Sequence, residues 1–336
     1  MPVKIIKFFY IIVILELIVI TISIIGIFAK RRFSTNVLGA VNIAPLDKDN
    51  FIIKKSAGLN YFYEPKPNNT ELDQADWLSY QVSYTINSDS LNERFDYNFD
   101  KPHRFFRIMT LGDSFTFGHY VNTAENWPER LEDKLNSTDL CSNIDRFEVI
   151  NLAERGYDIR YNAHRYEIRG NKYNPDLILW FESGSGFERI NELIIPLIKK
   201  YNQIITEEEK LKYNIIERYY LAYNKAKKDF HYLYSKHQIS DYVKLSWQHF
   251  LNTRKSINTV IFTFSDISSN NLNLLQNWIR KEPNVYIFNG ITNIANKNGI
   301  LPDGHPSNIG HKLISDDIYN YLIESKFLSC DSISTE

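Results

Sequence analysis

Five short apolar runs, separated by helix-like stretches, constrain this chain more than any other feature. They are "FFRIMTL" (105–111), "FEVINLA" (147–153), "DLILWFE" (176–182), "NTVIFTFS" (258–265) and "NVYIFNG" (284–290). Nearly continuous apolar runs of this length are what strands covered on both faces require. Between and after them lie "ENWPERLEDKLN" (125–136), "RYNAHRYEIRGN" (160–171), "NLNLLQNWIRKE" (271–282) and "PSNIGHKLISDDIYNYLIES" (306–325), all of helical character. The alternation predicts an α/β fold: a three-layer α/β/α sandwich on a mostly parallel, five-stranded sheet. In such sheets, binding and catalytic groups collect at the carboxyl ends of the strands.

One segment breaks the rhythm. Residues from about 189 to 254 contain no good strand, and "TEEEKLKYNIIERYYLAYNKAKKDFHYLYSKH" (206–237) reads as one long helix opened by a Thr206/Glu209 capping box. We read a helical insertion between the third and fourth strands. Its tyrosines (Tyr219, Tyr220, Tyr223, Tyr232, Tyr234) either pack the insertion onto the domain, or stack on sugars as a lid.

The amino-terminal third is different. "IIKFFYIIVILELIVITISIIGIFA" (5–29) is almost wholly apolar. It is long enough to cross a hydrocarbon core of about 30 Å as a helix. It exceeds a signal peptide's apolar region and shows no small-residue cleavage site. Residues 1–32 are therefore read as a single-pass transmembrane anchor. The flanking charges, Lys4 and Lys7 before and Lys30, Arg31 and Arg32 after, nearly balance and slightly favour a cytoplasmic carboxyl side. Residues 33–103 are polar, without sustained periodicity, and read as a juxtamembrane arm in which "YQVSYTINS" (80–88) alternates like a strand.

The chain of 336 residues carries a formal charge of −1, mixed along its length, so nothing argues for a nucleic-acid partner. Its two cysteines, Cys141 and Cys330, show neither CxxC nor zinc-site spacing. They pair only if the domain lies outside the cytoplasm. His231, His237 and His249 fall in the insertion without metal-ligand spacing, and no cofactor motif is present; "GSG" at 184–186 lacks the pattern of a phosphate loop.

The chemistry-bearing stretch is "MTLGDSFTFGHY" (109–120). A predicted strand stops on Gly-Asp-Ser. Either Ser114 is held at the strand's carboxyl end within reach of a substrate, or Gly112 and Asp113 make a turn and Ser114 caps the next helix. A serine nucleophile needs a base, an acid to orient that base and donors for the oxyanion. The best base and acid, His305 and Asp303, stand in "LPDGHPSNIGH" (301–311), just before the last helix; the alternative is that they are turn residues only. His311 reads as a helix-face residue. His119 either lines the cleft or lies on the surface. Arg155 and Arg160, in "NLAERGYDIR" (151–160), read as solvated surface or as contacts for an acidic glycan.

"RIMTLGDSFTFG", "VINLAERGY" and "DGHPSNIGH" together resemble the first, second and fifth sequence blocks of the SGNH/GDSL hydrolases. The lead-in "YTINSDSLNERFDYNFDKPHRFFRI" resembles that of membrane-anchored bacterial members. The resemblance spans about 104–328 and implies an SGNH/flavodoxin-like catalytic domain over 104–330. It implies Ser114 as nucleophile, His305 as general base and Asp303 as its orienting acid. It makes Asp113 a loop-shaping acceptor, and the Ser114 and Gly156 N–H groups oxyanion donors. The third block departs: "LILWFESGSGFERIN" (177–191) lacks the family's asparagine, and Ser185 is the nearest positional substitute, ahead of Ser183. Loss of one oxyanion donor costs about 3 kcal/mol of transition-state stabilisation. Asp303 and His305 are separated by one residue, a spacing that resembles the polysaccharide O-acetyltransferase side of the family. The expected function is a membrane-anchored, extracytoplasmic serine esterase removing O-acyl groups, O-acetyl above all, from a cell-envelope glycan. The alternatives are an O-acyltransferase of the same chemistry and an inactive, tethered glycan-binding module.

Overall fold

The computed structural model describes residues 51–328 apart from 57, 58, 76, 138, 139, 185, 187–189 and 214. Nine strands are described: β1 (Phe51–Ser56), β2 (Leu59–Pro65), β3 (Asn69–Asp73), β4 (Val82–Ile86), β5 (Phe105–Leu111), β6 (Arg146–Asn151), β7 (Leu177–Phe181), β8 (Asn258–Phe264) and β9 (Val285–Ile291). The last five form one sheet in the order β6-β5-β7-β8-β9, every neighbouring pair parallel. Each of the five apolar runs is one of these strands, with ends that differ by two residues at most.

Described helices are α1 (Ser114–Phe117), α2 (Trp127–Asn136), α3 (Ile159–Ile168), α4 (Asn191–Gln203), α5 (Glu207–Lys212), α6 (Ile215–Leu233), α7 (Lys236–Thr253), α8 (Ser269–Ile279) and α9 (Asn308–Glu324). Side chains alternate between the two faces of the sheet. Met109, Leu111, Ile150, Ile178, Trp180 and Ile261 share one buried cluster with side chains of α3, α4, α6 and α7. Phe106, Ile108, Val149, Leu179, Val260 and Phe262 share the other with α2 and α9. This is the expected three-layer sandwich, its strand order reversing direction between β5 and β7, where open parallel sheets form their binding crevice.

The insertion is not one long helix. Tyr213 is extended and closes α5 after a single capped stretch. A second capping box, Ser235 with Gln238, then starts α7 where the long helix was expected to continue. There the Ser235 side chain accepts the Gln238 N–H, which favours a new start over propagation. The Thr206/Glu209 box is present. The segment packs onto the domain: Trp247 and Phe250 of α7 meet Trp180 of β7 with ring centroids 4.9 and 4.7 Å apart, so α7 completes the layer. Tyr223 and Tyr234 pack against that core, Tyr232 is exposed, and the side chains of Tyr219 and Tyr220 lie outside those described.

Of residues 33–103, read as a juxtamembrane arm, the described part packs on the domain. β3 and β4 pair as an antiparallel hairpin, and the inward set Val82, Tyr84 and Ile86 is buried with Phe117 and Ala153. Each such burial contributes about 2 kcal/mol. Buried carboxylates of this segment also reach arginines of the core: Glu71 takes both terminal nitrogens of Arg155, at 2.7 and 2.9 Å, and Glu64 pairs with Arg169. The apolar segment 5–29 lies outside the described residues, among which no helix is long and apolar enough to cross a membrane.

Candidate active site

β5 ends at Gly112 for a steric reason. A Cβ there would lie 2.2 Å from Thr116 Oγ1 and 3.0 Å from the Phe181 carbonyl oxygen at the end of β7. Only glycine lets the chain turn so tightly against its neighbour. The next residue, Asp113, is the N-cap of α1: its Oδ1 accepts the Phe115 N–H at 3.0 Å, and its Oδ2 accepts the Ser183 hydroxyl at 2.6 Å. The cap is thus Asp113, not Ser114. That frees the Ser114 hydroxyl, and as a first helical residue Ser114 has no intrahelical acceptor for its N–H.

The partner loop is fixed just as locally. Leu301 to Gly304 close a turn through the Gly304 N–H and the Leu301 carbonyl, 2.9 Å apart, with Gly304 at φ +93°. An isolated bridge joins Ile300 to Pro306, and Ser307 caps α9. This loop stands where β9 hands over to α9, on the rim that also carries the end of β5.

Ser114, His305 and Asp303 meet there. Ser114 Oγ lies 2.8 Å from His305 Nε2, and His305 Nδ1 lies 2.7 Å from Asp303 Oδ2. The His305 backbone N–H also donates to Asp303 Oδ1, at 3.1 Å. A carboxylate on Nδ1 holds the proton there and leaves Nε2 bare to accept from the serine. Burial pushes the Asp303 carboxyl up, but the hydrogen bonds and positive charge of His305 outweigh it and hold that carboxyl below its ordinary value. The His305 ring is flanked by Phe115, His119 and Tyr120, with centroids 5.3, 5.0 and 5.8 Å away. His119 is therefore a cleft residue rather than a surface one.

Other expectations fare differently. Gly156 sits in the loop after β6, with φ +74°, and its carbonyl accepts from the Asn191 side chain. Ser185 lies outside the described residues. Ser183 has its hydroxyl on Asp113, so it shapes the loop. Arg155 is not solvated: its side chain is only 11% exposed, ion-paired to Glu71 and Glu154, and its guanidinium stands 4.6 Å from the Phe117 ring centroid. Arg160 pairs with Glu192 at 2.9 Å. Among the described residues no group of three or more potential metal ligands converges. The sequence reading missed Asp73, Trp77 and Tyr84, which the folded-back amino-terminal segment brings behind the cleft; the alternation in "YQVSYTINS" marked the strand but not what it faces.

His311, the second histidine of "DGHPSNIGH", is fully buried on α9, and its Nδ1 accepts the Trp127 N–H at 3.2 Å. Burial, with Arg130 and His305 nearby, pushes it down from 6.5 to about 3. Between those values the unfolded chain binds the extra proton and the folded one does not, so stability falls as pH drops through this window and levels off below it. The loss is on the order of 5 kcal/mol. Urea unfolding at a series of pH values should show this limb, and His311→Asn should flatten it even while lowering stability at neutral pH. An unchanged slope in the variant would assign the acid sensitivity to other groups.

No family model matches the chain, and no curated protein matches it. Among solved structures, TesA is similar, with 9% identity and a TM-score of 0.41 over 64% of this chain and 97% of that one. The psychrotrophic esterase EstA from Pseudoalteromonas sp. gives 13% identity and a TM-score of 0.40, over 66% and 98% of the two chains. Axe2, an acetylxylan esterase from Geobacillus stearothermophilus, gives 12% and 0.38, over 70% and 100%. At TM-scores below 0.5 these likenesses do not bear on the site.

Proposed function

We propose that this protein is a serine esterase that removes O-acyl groups, O-acetyl above all, from a cell-envelope glycan. The observation that carries the reading is the relay from Ser114 through His305 to Asp303, with contacts of 2.8 and 2.7 Å. Ser114 Oγ attacks the ester carbonyl as His305 Nε2 takes its proton. The negative charge on the tetrahedral oxygen falls to the N–H groups of Ser114 and Gly156. His305 returns the proton to the leaving sugar oxygen, and an acyl-serine remains. Water, activated by the same imidazole, then releases the acid and regenerates the hydroxyl. Without the asparagine of the third block the oxyanion is held by fewer donors. That slows the enzyme by about 3 kcal/mol without abolishing the chemistry. The SGNH/GDSL resemblance of the three sequence blocks supports the same roles.

The membrane tether rests on the apolar segment 5–29. An extracytoplasmic domain is supported by Cys141, which is disulfide-bonded; such bonds persist in oxidising compartments. The chain's other cysteine, Cys330, lies outside the described residues.

A fluorophosphonate probe should label the full chain on the peptide that contains Ser114, and a 4-nitrophenyl acetate assay should show steady turnover. A chain that is neither labelled nor active would leave a glycan-binding role instead. Labelling with turnover only when a glycan is added would select the acyltransferase, which the one-residue spacing of Asp303 and His305 favours.

A further inference from the structure

His119 stands beside the triad but takes no part in it. Its Nδ1 lies 3.3 Å from the Tyr84 hydroxyl oxygen and 3.7 Å from Asp73 Oδ2. Tyr84 has one hydroxyl proton, and the Asp73 carboxylate, which can only accept, takes it at 3.2 Å. The same phenol oxygen accepts the Tyr120 N–H at 2.9 Å. It can then only accept from His119, so the imidazole carries its proton on Nδ1. That leaves Nε2 a bare acceptor. Among the described residues Nε2 has no hydrogen-bond partner, and the side chain is 17% exposed.

The imidazole is also kept neutral. Burial, with the charges of Arg155 and His305, drives its pKa well below the ordinary histidine value. A neutral ring with a free acceptor suits an uncharged donor such as a hydroxyl. The backbone is bent to present it: Gly118 has φ +91° and Tyr120 φ +66°. An aromatic residue in the left-handed region is strained, and such strain persists where the surroundings impose it, as at binding sites. The Tyr120 ring lies on His119, centroids 3.6 Å apart, and meets Trp77 edge-on at 5.0 Å; Trp77 is itself 37% exposed. The wall beside His305 is thus aromatic, with one polar acceptor set into it.

We propose that His119 Nε2 accepts a hydrogen bond from a substrate hydroxyl next to the reacting ester, selecting sugars whose acyl group has a free hydroxyl as neighbour. The inference rests on the esterase reading above and adds its alcohol specificity. The aromatic faces of Tyr120 and Trp77 receive the C–H face of the ring, and His119 sets its rotation so that the ester oxygen reaches His305.

The test compares kcat/KM of the full chain on a monoacetylated pyranoside with a free vicinal hydroxyl, on its deoxy analogue lacking that hydroxyl, and on 4-nitrophenyl acetate. Wild type should prefer the hydroxyl-bearing sugar by about tenfold, the worth of one well-placed hydrogen bond. His119→Phe, which keeps an aromatic ring, should collapse that ratio toward one, read within the variant so that any general fall in 4-nitrophenyl acetate turnover divides out. His119→Gln, which keeps an acceptor, should retain part of the preference. The ratio is insensitive to any general loss of folded enzyme. A preference that survives in His119→Phe, or one absent from wild type, overturns the proposal. So does an equal loss on all three esters in both variants, which would make His119 a support for His305. A wild type inert even to 4-nitrophenyl acetate overturns the esterase reading, and this inference falls with it.

Discussion

Ser114→Ala should lower turnover of an activated acetyl ester by about 10⁵-fold or more. The hydroxyl is the group positioned to attack. It lies 2.8 Å from an imidazole nitrogen whose other side is committed to a carboxylate. Its removal leaves only binding and the oxyanion donors, which in comparable enzymes sustain about 10³- to 10⁴-fold over water. The substitution deletes one oxygen at a half-buried position and leaves the Asp113 cap intact, so the thermal midpoint should move little. Circular dichroism melts run beside steady-state kinetics check both halves. A variant retaining a tenth of wild-type activity would remove Ser114 from the reaction.

The second large effect belongs to Asp303→Asn. The amide keeps the shape of the carboxylate but changes the proton arrangement. Asparagine can donate to His305 Nδ1, which places the imidazole proton on Nε2, where it can no longer accept from Ser114. It also removes the negative charge that stabilises the imidazolium formed during attack. A fall in kcat of about 10⁴-fold follows, with KM changing far less. Because His305 holds the Asp303 carboxyl below its ordinary value of 3.8, wild type keeps this ion through the mildly acid range. A loss below tenfold would show that Asp303 only shapes its turn. The variant should still accept the fluorophosphonate, more slowly, which separates a tautomer defect from a collapsed loop.

Both predictions concern residues that were legible in the sequence, and the reason is local. Gly-Asp-Ser after an apolar run, and Asp-Gly-His-Pro before a helical one, are turn chemistries that fix backbone direction within a few residues. The strand runs were legible for a similar reason: a strand buried on both faces has to be apolar along its whole length. The same logic failed in the insertion, where helical periodicity continues through Ser235 while the side-chain caps there start a new helix. It also failed for Arg155. An arginine in a loop looks like surface until Glu71 arrives from a distant hairpin.

What the sequence determined by itself is therefore the five strands of the sheet, their alternation with helices and the residue types set at the strand ends, because each depends on contacts within a single turn or strand. Only the tertiary structure decided which ends meet. It brought His305 to Ser114 across 191 positions, and it folded residues 63–103 back so that Asp73, Trp77 and Tyr84 stand behind His119. Those pairings come from the register of a sheet and the burial of one hairpin face, which are sums over many distant residues and leave no mark at any single position in the chain.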